Sequence, residues 1–438
     1  MFDLAIKGSR IITPDGIQPA VVLIKDGLIA DVVNVIPGDI VKKIIDIHDH
    51  VLMPGITDPH VHINEPGRTD WEGFTTATRA ALASGITTLV DMPLNAHPVT
   101  TTVAALEQKI RSANLYTNCG YWGGVVPGNV SELEPLIERG VLGFKAFLTH
   151  SGIDDFPNVT VEDLKKAMPI IAKHGLPLLV HCELSTPVPA SVAGTYSAYL
   201  ASRPAAWEEN AIALIIRLCE TYNCRVHIVH LSAASALPQI IRAKARGLPL
   251  TVETAQHYLY FDAEHIPDGN MAFKCAPPIR EQENNEQLWQ ALKSGIIDMV
   301  ATDHSPSPGD MKQGDYLTSW GGISSLQLAL PALWTAAQKR QVPLTQIVQW
   351  LCTAPTLLTG THTYKGKIAK GYDADLVIWN PEQSFKVIPA NLQHKHPITP
   401  YADETLDGVV LQTYLKGIKV YDEGIYTAPP QGENILRS

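Results

Sequence analysis

Two histidines one residue apart, in Asp58-Pro59-His60-Val61-His62, are the residues of this chain whose types and spacing first point to chemistry. In an extended strand successive side chains alternate between faces, so His60 and His62 point the same way. Two imidazoles side by side at the end of a buried strand can grip one metal ion. The pair follows Val51-Leu52-Met53-Pro54-Gly55-Ile56, an apolar run that reads as a strand entering a core. Alone, His-x-His also describes two packed or solvated histidines. The positions of the other candidate ligands decide between the readings.

Those positions follow from the elements that must carry them. The middle of the chain alternates short apolar runs with longer helical segments, the mark of a βα repeat and a parallel sheet. After the first run come residues 85–92, a run near Cys119 to Val126, and residues 143–147, 176–181, 225–230, 250–254 and 296–303. Eight strands with intervening helices is the repeat number of a (β/α)8 barrel. His60 and His62 end the first strand, Lys145 sits late in the fourth, and His181, His230 and Asp303 end the fifth, sixth and eighth. All lie at the carboxyl ends of their strands, the mouth of a barrel, where active sites are built. Four histidines and an aspartate at equivalent ends favour a metal site over packed residues.

The flanks read differently. Residues 1 to 50 contain four strand-like runs punctuated by Pro14-Asp15-Gly16 and Lys25-Asp26-Gly27, which are turn signatures. Residues 415–424, Leu-Lys-Gly-Ile-Lys-Val-Tyr-Asp-Glu-Gly, echo the Ile6-Lys7-Gly8 region and its Asp-Gly turn. Short meanders are marginal alone, so the two ends are expected to pair into one small β domain with the barrel inserted between them. At 438 residues the chain has room for one large domain and a minor one. A formal charge of −10 argues against nucleic acid or an anionic membrane as partner. The cysteines at 119, 182, 219, 224, 275 and 352 form no Cys-x-x-Cys pair and read as reduced, buried residues. Met1-Phe2-Asp3-Leu4 lacks the features of a signal peptide, and no apolar run approaches the ~20 residues of a membrane span. The expectation is a soluble cytoplasmic protein.

Four histidines and an aspartate exceed the three protein ligands of a typical single catalytic zinc. Lys145 is the odd member, because an ammonium is a poor neighbour for cations. Burial would lower its pKa and expose a neutral amine, which can add carbon dioxide and become a bridging carbamate. The plain alternative is a barrel lysine paired with a carboxylate, and local sequence leaves both open.

At this point the residues carry a family resemblance. Asp58-Pro59-His60-Val61-His62, the lysine of strand four, His181, His230 and Thr302-Asp303-His304-Ser305-Pro306 together resemble the cyclic amidohydrolases of the amidohydrolase superfamily. That group includes dihydroorotases, hydantoinases or dihydropyrimidinases, and allantoinases. The resemblance implies a TIM barrel over residues 53–361 and a small β-sandwich from residues 1–52 and 362–438, re-entered by Gly371-Tyr372-Asp373-Ala374-Asp375-Leu376-Val377. It implies two divalent metal ions, zinc foremost, with iron, cobalt or manganese also suited to the ligands. His60, His62 and Asp303 would hold one, His181 and His230 the other, with Lys145 bridging them as N6-carboxylysine.

Within the group, dihydroorotases carry arginine where this chain has Asn64, a cation suited to a substrate carboxylate. Its absence points to an uncharged substrate, with Asn64 among the residues that would contact it. Residues 64–74, Asn-Glu-Pro-Gly-Arg-Thr-Asp-Trp-Glu-Gly-Phe, and His394-Lys395-His396-Pro397-Ile398-Thr399-Pro400-Tyr401 are similar to the allantoinases. The activity implied is hydrolysis of allantoin to allantoate by a metal-bridged hydroxide, with Asp303 as proton shuttle, a step of purine breakdown. Backbone groups at Cys275 and Gly322 would bind the ureide edge, and His304 or His150 would touch substrate or support a ligand. Hydantoinase or dihydroorotase-like action is the alternative within enzymes. A non-catalytic scaffold is disfavoured because all six ligand positions are filled. Relatives are commonly tetramers, so a homotetramer is expected.

Overall fold

The alternation of apolar runs with helices closes, in the computed structural model, into a parallel eight-stranded barrel; residues 1–38, 40–187 and 194–437 are described. The strands are Ile56–Val61, Ile86–Asp91, Asn118–Tyr121 continued by Gly123–Gly124, Phe144–Phe147, Pro177–His181, Arg225–Ile228, Leu250–Ala255 and Met299–Ala301. Each pairs in parallel with the next, and a bridge from Val61 to His304 closes the ring. Nearly every strand residue is buried, as expected where helices cover the outer face and side chains fill the inner one. Helix boundaries follow local chemistry: Thr160 and Asp163 form a reciprocal capping box on Val161–Lys173.

Asp58 helps close the barrel. Its Oδ1 accepts from the backbone N–H groups of His60 (3.1 Å) and Thr302 (3.3 Å), and its Oδ2 accepts from the Thr302 hydroxyl (2.5 Å). Burial pushes this carboxyl up to about 7. The first and eighth strand ends, which carry three of the candidate ligands, are thereby tied together.

The termini build one sheet, as their matching patterns anticipate. Leu4–Thr13 pairs with Gly16–Lys25, and that strand with Leu28–Val33. The second turn uses Asp26 and Gly27, both with positive φ (51° and 80°), the type I′ geometry that suits strand twist. Val51–Pro54 lies between the two chain ends, parallel to Leu4–Thr13 and antiparallel to Leu376–Lys386. From there the sheet continues through Thr405–Leu415, Ile418–Asp422 and Ile425–Tyr426.

The run at Val51 is thus a sandwich strand, and the first barrel strand begins only at Ile56. The changeover comes at Gly55, where a Cβ would lie 2.0 Å from the Thr87 hydroxyl oxygen. Periodicity could not separate two consecutive buried strands. The C-terminal tail also departs from a purely sandwich role: Asn434–Ile435 pairs in parallel with Cys119–Gly120, capping the edge left because strand four starts late. All six cysteines are free and buried. Among the described residues no helix is long and apolar enough to cross a membrane.

Candidate active site

Five strand ends converge at the mouth of the barrel. His60 Nε2 lies 3.1 Å and His62 Nε2 3.5 Å from Asp303 Oδ1. His181 Nδ1 lies 3.0 Å from His230 Nε2, near the ~3.3 Å between two nitrogens held tetrahedrally at ~2.0 Å by one ion. Ligand atoms of His60, His230 and Asp303 all fall within 4.8 Å of one another, a spacing that could hold a metal ion. His230 and Asp303 stand just past their strands with left-handed backbone, φ 38° and 46°. For residues other than glycine this costs ~1–2 kcal/mol each. It turns both side chains into the mouth.

Carboxylates behind the imidazoles set their tautomers. A carboxylate can only accept, so His60 donates Nδ1–H to Glu253 Oε1 (2.5 Å) and keeps the Nε2 lone pair for the cavity. Glu253 also takes Nε2–H of His227 (3.0 Å) and the backbone N–H of His230 (3.3 Å). His181 donates Nε2–H to Glu183 (2.8 Å), itself clamped by Arg203, and keeps Nδ1 free. Asn95 faces His62 Nδ1 at 3.4 Å, and its amide oxygen is otherwise an orphan. With that oxygen on the imidazole side, Nδ1–H is satisfied and Nε2 is again the free nitrogen.

Burial lowers His62 to about 4 and pushes His181 and His230 down as well, so these rings are neutral and have lone pairs to give. Burial alone would raise Asp303, whereas any proton carried by the surrounding His60, His62 or His230 rings pulls it well below the usual carboxylate range. Lys145 is fully buried and its amine has no hydrogen-bond partner among the described residues. Burial brings it down to about 8, which leaves a neutral fraction near pH 7. The Phe147 ring lies 5.1 Å from this amine and stacks on His181 at 4.6 Å. An orphaned amine amid imidazoles and a carboxylate fits a lysine that is carboxylated in use, and does not fit the carboxylate-paired alternative.

A cavity of about 320 Å³ opens above these groups. His60, His62, Lys145, His181, His230 and Asp303 all line it, with Asn95, Tyr199, Arg203, Lys274 and Gly322. The other expected contacts divide. Gly322 reaches the wall, but its N–H donates to the Lys274 carbonyl (2.8 Å) and its carbonyl accepts from the Lys312 ammonium. Cys275 lies beneath the wall formed by its neighbours Lys274 and Ala276, and its carbonyl takes the Tyr199 hydroxyl (2.6 Å). Each carbonyl retains one lone pair.

Asn64 and His304 are not among the residues that line this cavity; for His304 the supporting role is the one the contacts favour. Asn64 has left-handed backbone (φ 67°) and donates to the Pro306 carbonyl at 3.4 Å, joining two loops. His304 follows Asp303 and faces away from it. Its Nε2–H donates to Glu72 (3.3 Å) and its Nδ1 accepts from the N–H groups of Ser325 and Leu326. His150 stands exposed at the rim, 3.3 Å from Asp154.

Sequence reasoning missed Glu253, Glu183 and Lys274. A signal for the first was present: a glutamate inside the apolar run 250–255 must be paired to be buried.

Comparison with known proteins bears on this geometry. The chain is 47% identical to an allantoinase of Streptomyces avermitilis, over 98% of this chain and 97% of that one. It is 42% identical to an allantoinase of Arabidopsis thaliana, over 98% and 90%. Its fold superposes on the L-hydantoinase (dihydropyrimidinase) of Arthrobacter aurescens with a TM-score of 0.95, at 29% identity and with all of both chains covered. Residues 51–420 match the amidohydrolase family, and with that match the histidines at the strand ends acquire a lineage: the chain belongs to the amidohydrolase family.

Proposed function

We propose that this protein hydrolyses allantoin, a hydantoin ring bearing a ureido arm, to allantoate. One observation carries the hydrolytic reading: six side chains from five strand ends line a single cavity, with the Lys145 amine buried among them and unpartnered. Relatives named allantoinase at 47% and 42% identity across nearly the whole chain support the choice of ring.

In this proposal His60, His62 and Asp303 hold one divalent ion, His181 and His230 a second, and Lys145, carboxylated on its amine, spans both. When bound, such ions supply Lewis acidity, making water acidic enough to ionise near neutral pH and polarising a carbonyl. The chain does the rest. Oδ1 of Asp303 faces His60 and His62 and accepts from Ser305 (3.3 Å). Oδ2 is therefore the oxygen that takes the proton from the attacking water. The ring amide C–N bond breaks, and Asp303 returns that proton to the leaving nitrogen. Free lone pairs on the Gly322 and Cys275 carbonyls accept ring N–H groups. The buried floor and the Trp320 side chain at the wall limit entry of bulk water.

We extend the proposal to zinc as the metal, a homotetrameric assembly, a cytoplasmic location, and a division of labour in which residues 1–52 and 362–438 brace the catalytic barrel, 53–361. The test is a substrate panel on metal-loaded protein: allantoin, hydantoin, dihydrouracil and dihydroorotate. Allantoin should be opened fastest, elemental analysis should find close to two ions per chain, and intact mass should show carbon dioxide added at Lys145. Protein that binds two ions and opens dihydrouracil but leaves allantoin intact would refute the substrate assignment.

A further inference from the structure

An armed ring differs from a bare one only in its substituent, so a site that prefers it must read that arm. Among the cations on the cavity wall, Arg203 is already clamped by Glu183 through two contacts. Lys312 lies behind the wall and donates to the Gly322 carbonyl. Lys274 is different. It lines the cavity, is only 8% exposed, and its ammonium has a single hydrogen-bond partner among the described residues, the Ser319 carbonyl. It makes no ion pair with any described carboxylate, and burial pulls it down to about 8.

Its position is nonetheless well defined. The Tyr199 ring lies 5.5 Å from its nitrogen, and its carbonyl receives the Gly322 N–H at 2.8 Å. An ammonium carries three N–H donors; one goes to the Ser319 carbonyl, which leaves two without an acceptor among the described residues on a side chain that lines the cavity. A buried cation left this way is costly unless a ligand completes its shell.

Resting on the activity proposed above, we propose that Lys274 is the residue that selects for the ureido arm, its ammonium donating to the arm's carbonyl oxygen while the ring sits over the strand-end ligands. A site that hydrogen-bonds a substrate group penalises analogues lacking it, because its own buried polar group is then left unpaired.

The experiment compares wild type with Lys274→Met and Lys274→Arg, using kcat/KM for allantoin and the inhibition constant of 5-propylhydantoin, which has the ring and an arm without a carbonyl. For Lys274→Met, kcat/KM should fall roughly 10–100-fold while the 5-propylhydantoin constant shifts less than about threefold. Lys274→Arg, which retains charge and reach, should recover most of the loss. Metal content and circular dichroism check the fold, and Lys274→Gln replaces the methionine variant if that one does not fold. Equal losses for allantoin and 5-propylhydantoin, or no loss at all, overturn the inference while leaving the activity standing. Hydantoin-5-acetate binding more tightly than allantoin, and losing that advantage in Lys274→Met, overturns it in favour of an anion site. Wild-type protein that leaves allantoin intact removes the activity and the inference together.

Discussion

The floor of the barrel mouth is made of side chains on strand ends, whereas the wall above it combines loop backbone with a few loop and helix side chains, Lys274, Tyr199 and Trp320 among them. On the floor, His60, His181 and their partners are held by carboxylates that determine which nitrogen faces the cavity. At the wall, the Gly322 N–H is held by the Lys274 carbonyl, and Cys275, just beneath it, accepts from the Tyr199 hydroxyl. The floor therefore depends on residue identity, and the wall on backbone path. In the proposed activity, the hydrolytic chemistry would sit on the first, and the choice of ring would fall to the second.

That comparison can be broken at its strongest point first. Asp303→Asn should keep the fold and part of the metal but lose roughly 10²-fold or more in kcat. Near-normal turnover would mean that the floor does not move the proton. Next in size, Glu253→Gln should weaken metal binding by ~10–100-fold, read by competition with a chelator, since the amide can present its N–H side to His60 and release the tautomer. Unchanged affinity would show that strand geometry alone orients His60.

His304→Ala should separate floor from surroundings. It removes one partner of the buried Glu72 and strands two backbone N–H groups, so stability should drop by ~1–3 kcal/mol while KM for allantoin holds within about threefold. A large rise in KM would restore His304 to the substrate wall. The smallest effect is a pH drift in metal-free protein. His62, with a folded value of about 4 against 6.5 unfolded, binds fewer protons when folded, and His181 and His230 shift in the same direction. Their contribution is complete above pH 6.5 and is lost as pH falls from there towards 4. The melting temperature of the metal-free protein should fall across that window; a flat profile would mean that these rings are solvated without metal.

The floor was legible in the sequence because histidine, lysine and aspartate at the ends of apolar runs are rare combinations with few structural explanations. The shared sheet of the two termini was legible through Asp-Gly turns and matching strand patterns. The boundary drawn at residue 52 cut through Val51–Pro54, because two buried strands in succession have no polar phase to tell them apart. Motif position put Asn64 forward as a substrate contact and His304 as either a substrate contact or a support; neither lines the cavity. The left-handed turn at Asn64 and the alternation that follows Asp303 direct them elsewhere. Glu253 lies about 190 residues from the imidazole it orients, a separation that only folding removes.

The backbone at His230 and Asp303 has a consequence for protein engineering. Both side chains depend on left-handed backbone two residues beyond the end of a parallel strand. Transplanting these ligands into another barrel by matching residue types alone would aim two of them wrongly. A graft that carried the two turns with their flanking residues would keep the vectors, and asparagine, which tolerates this region better than most residues, is the conservative probe of how much the charge at Asp303 contributes apart from the turn.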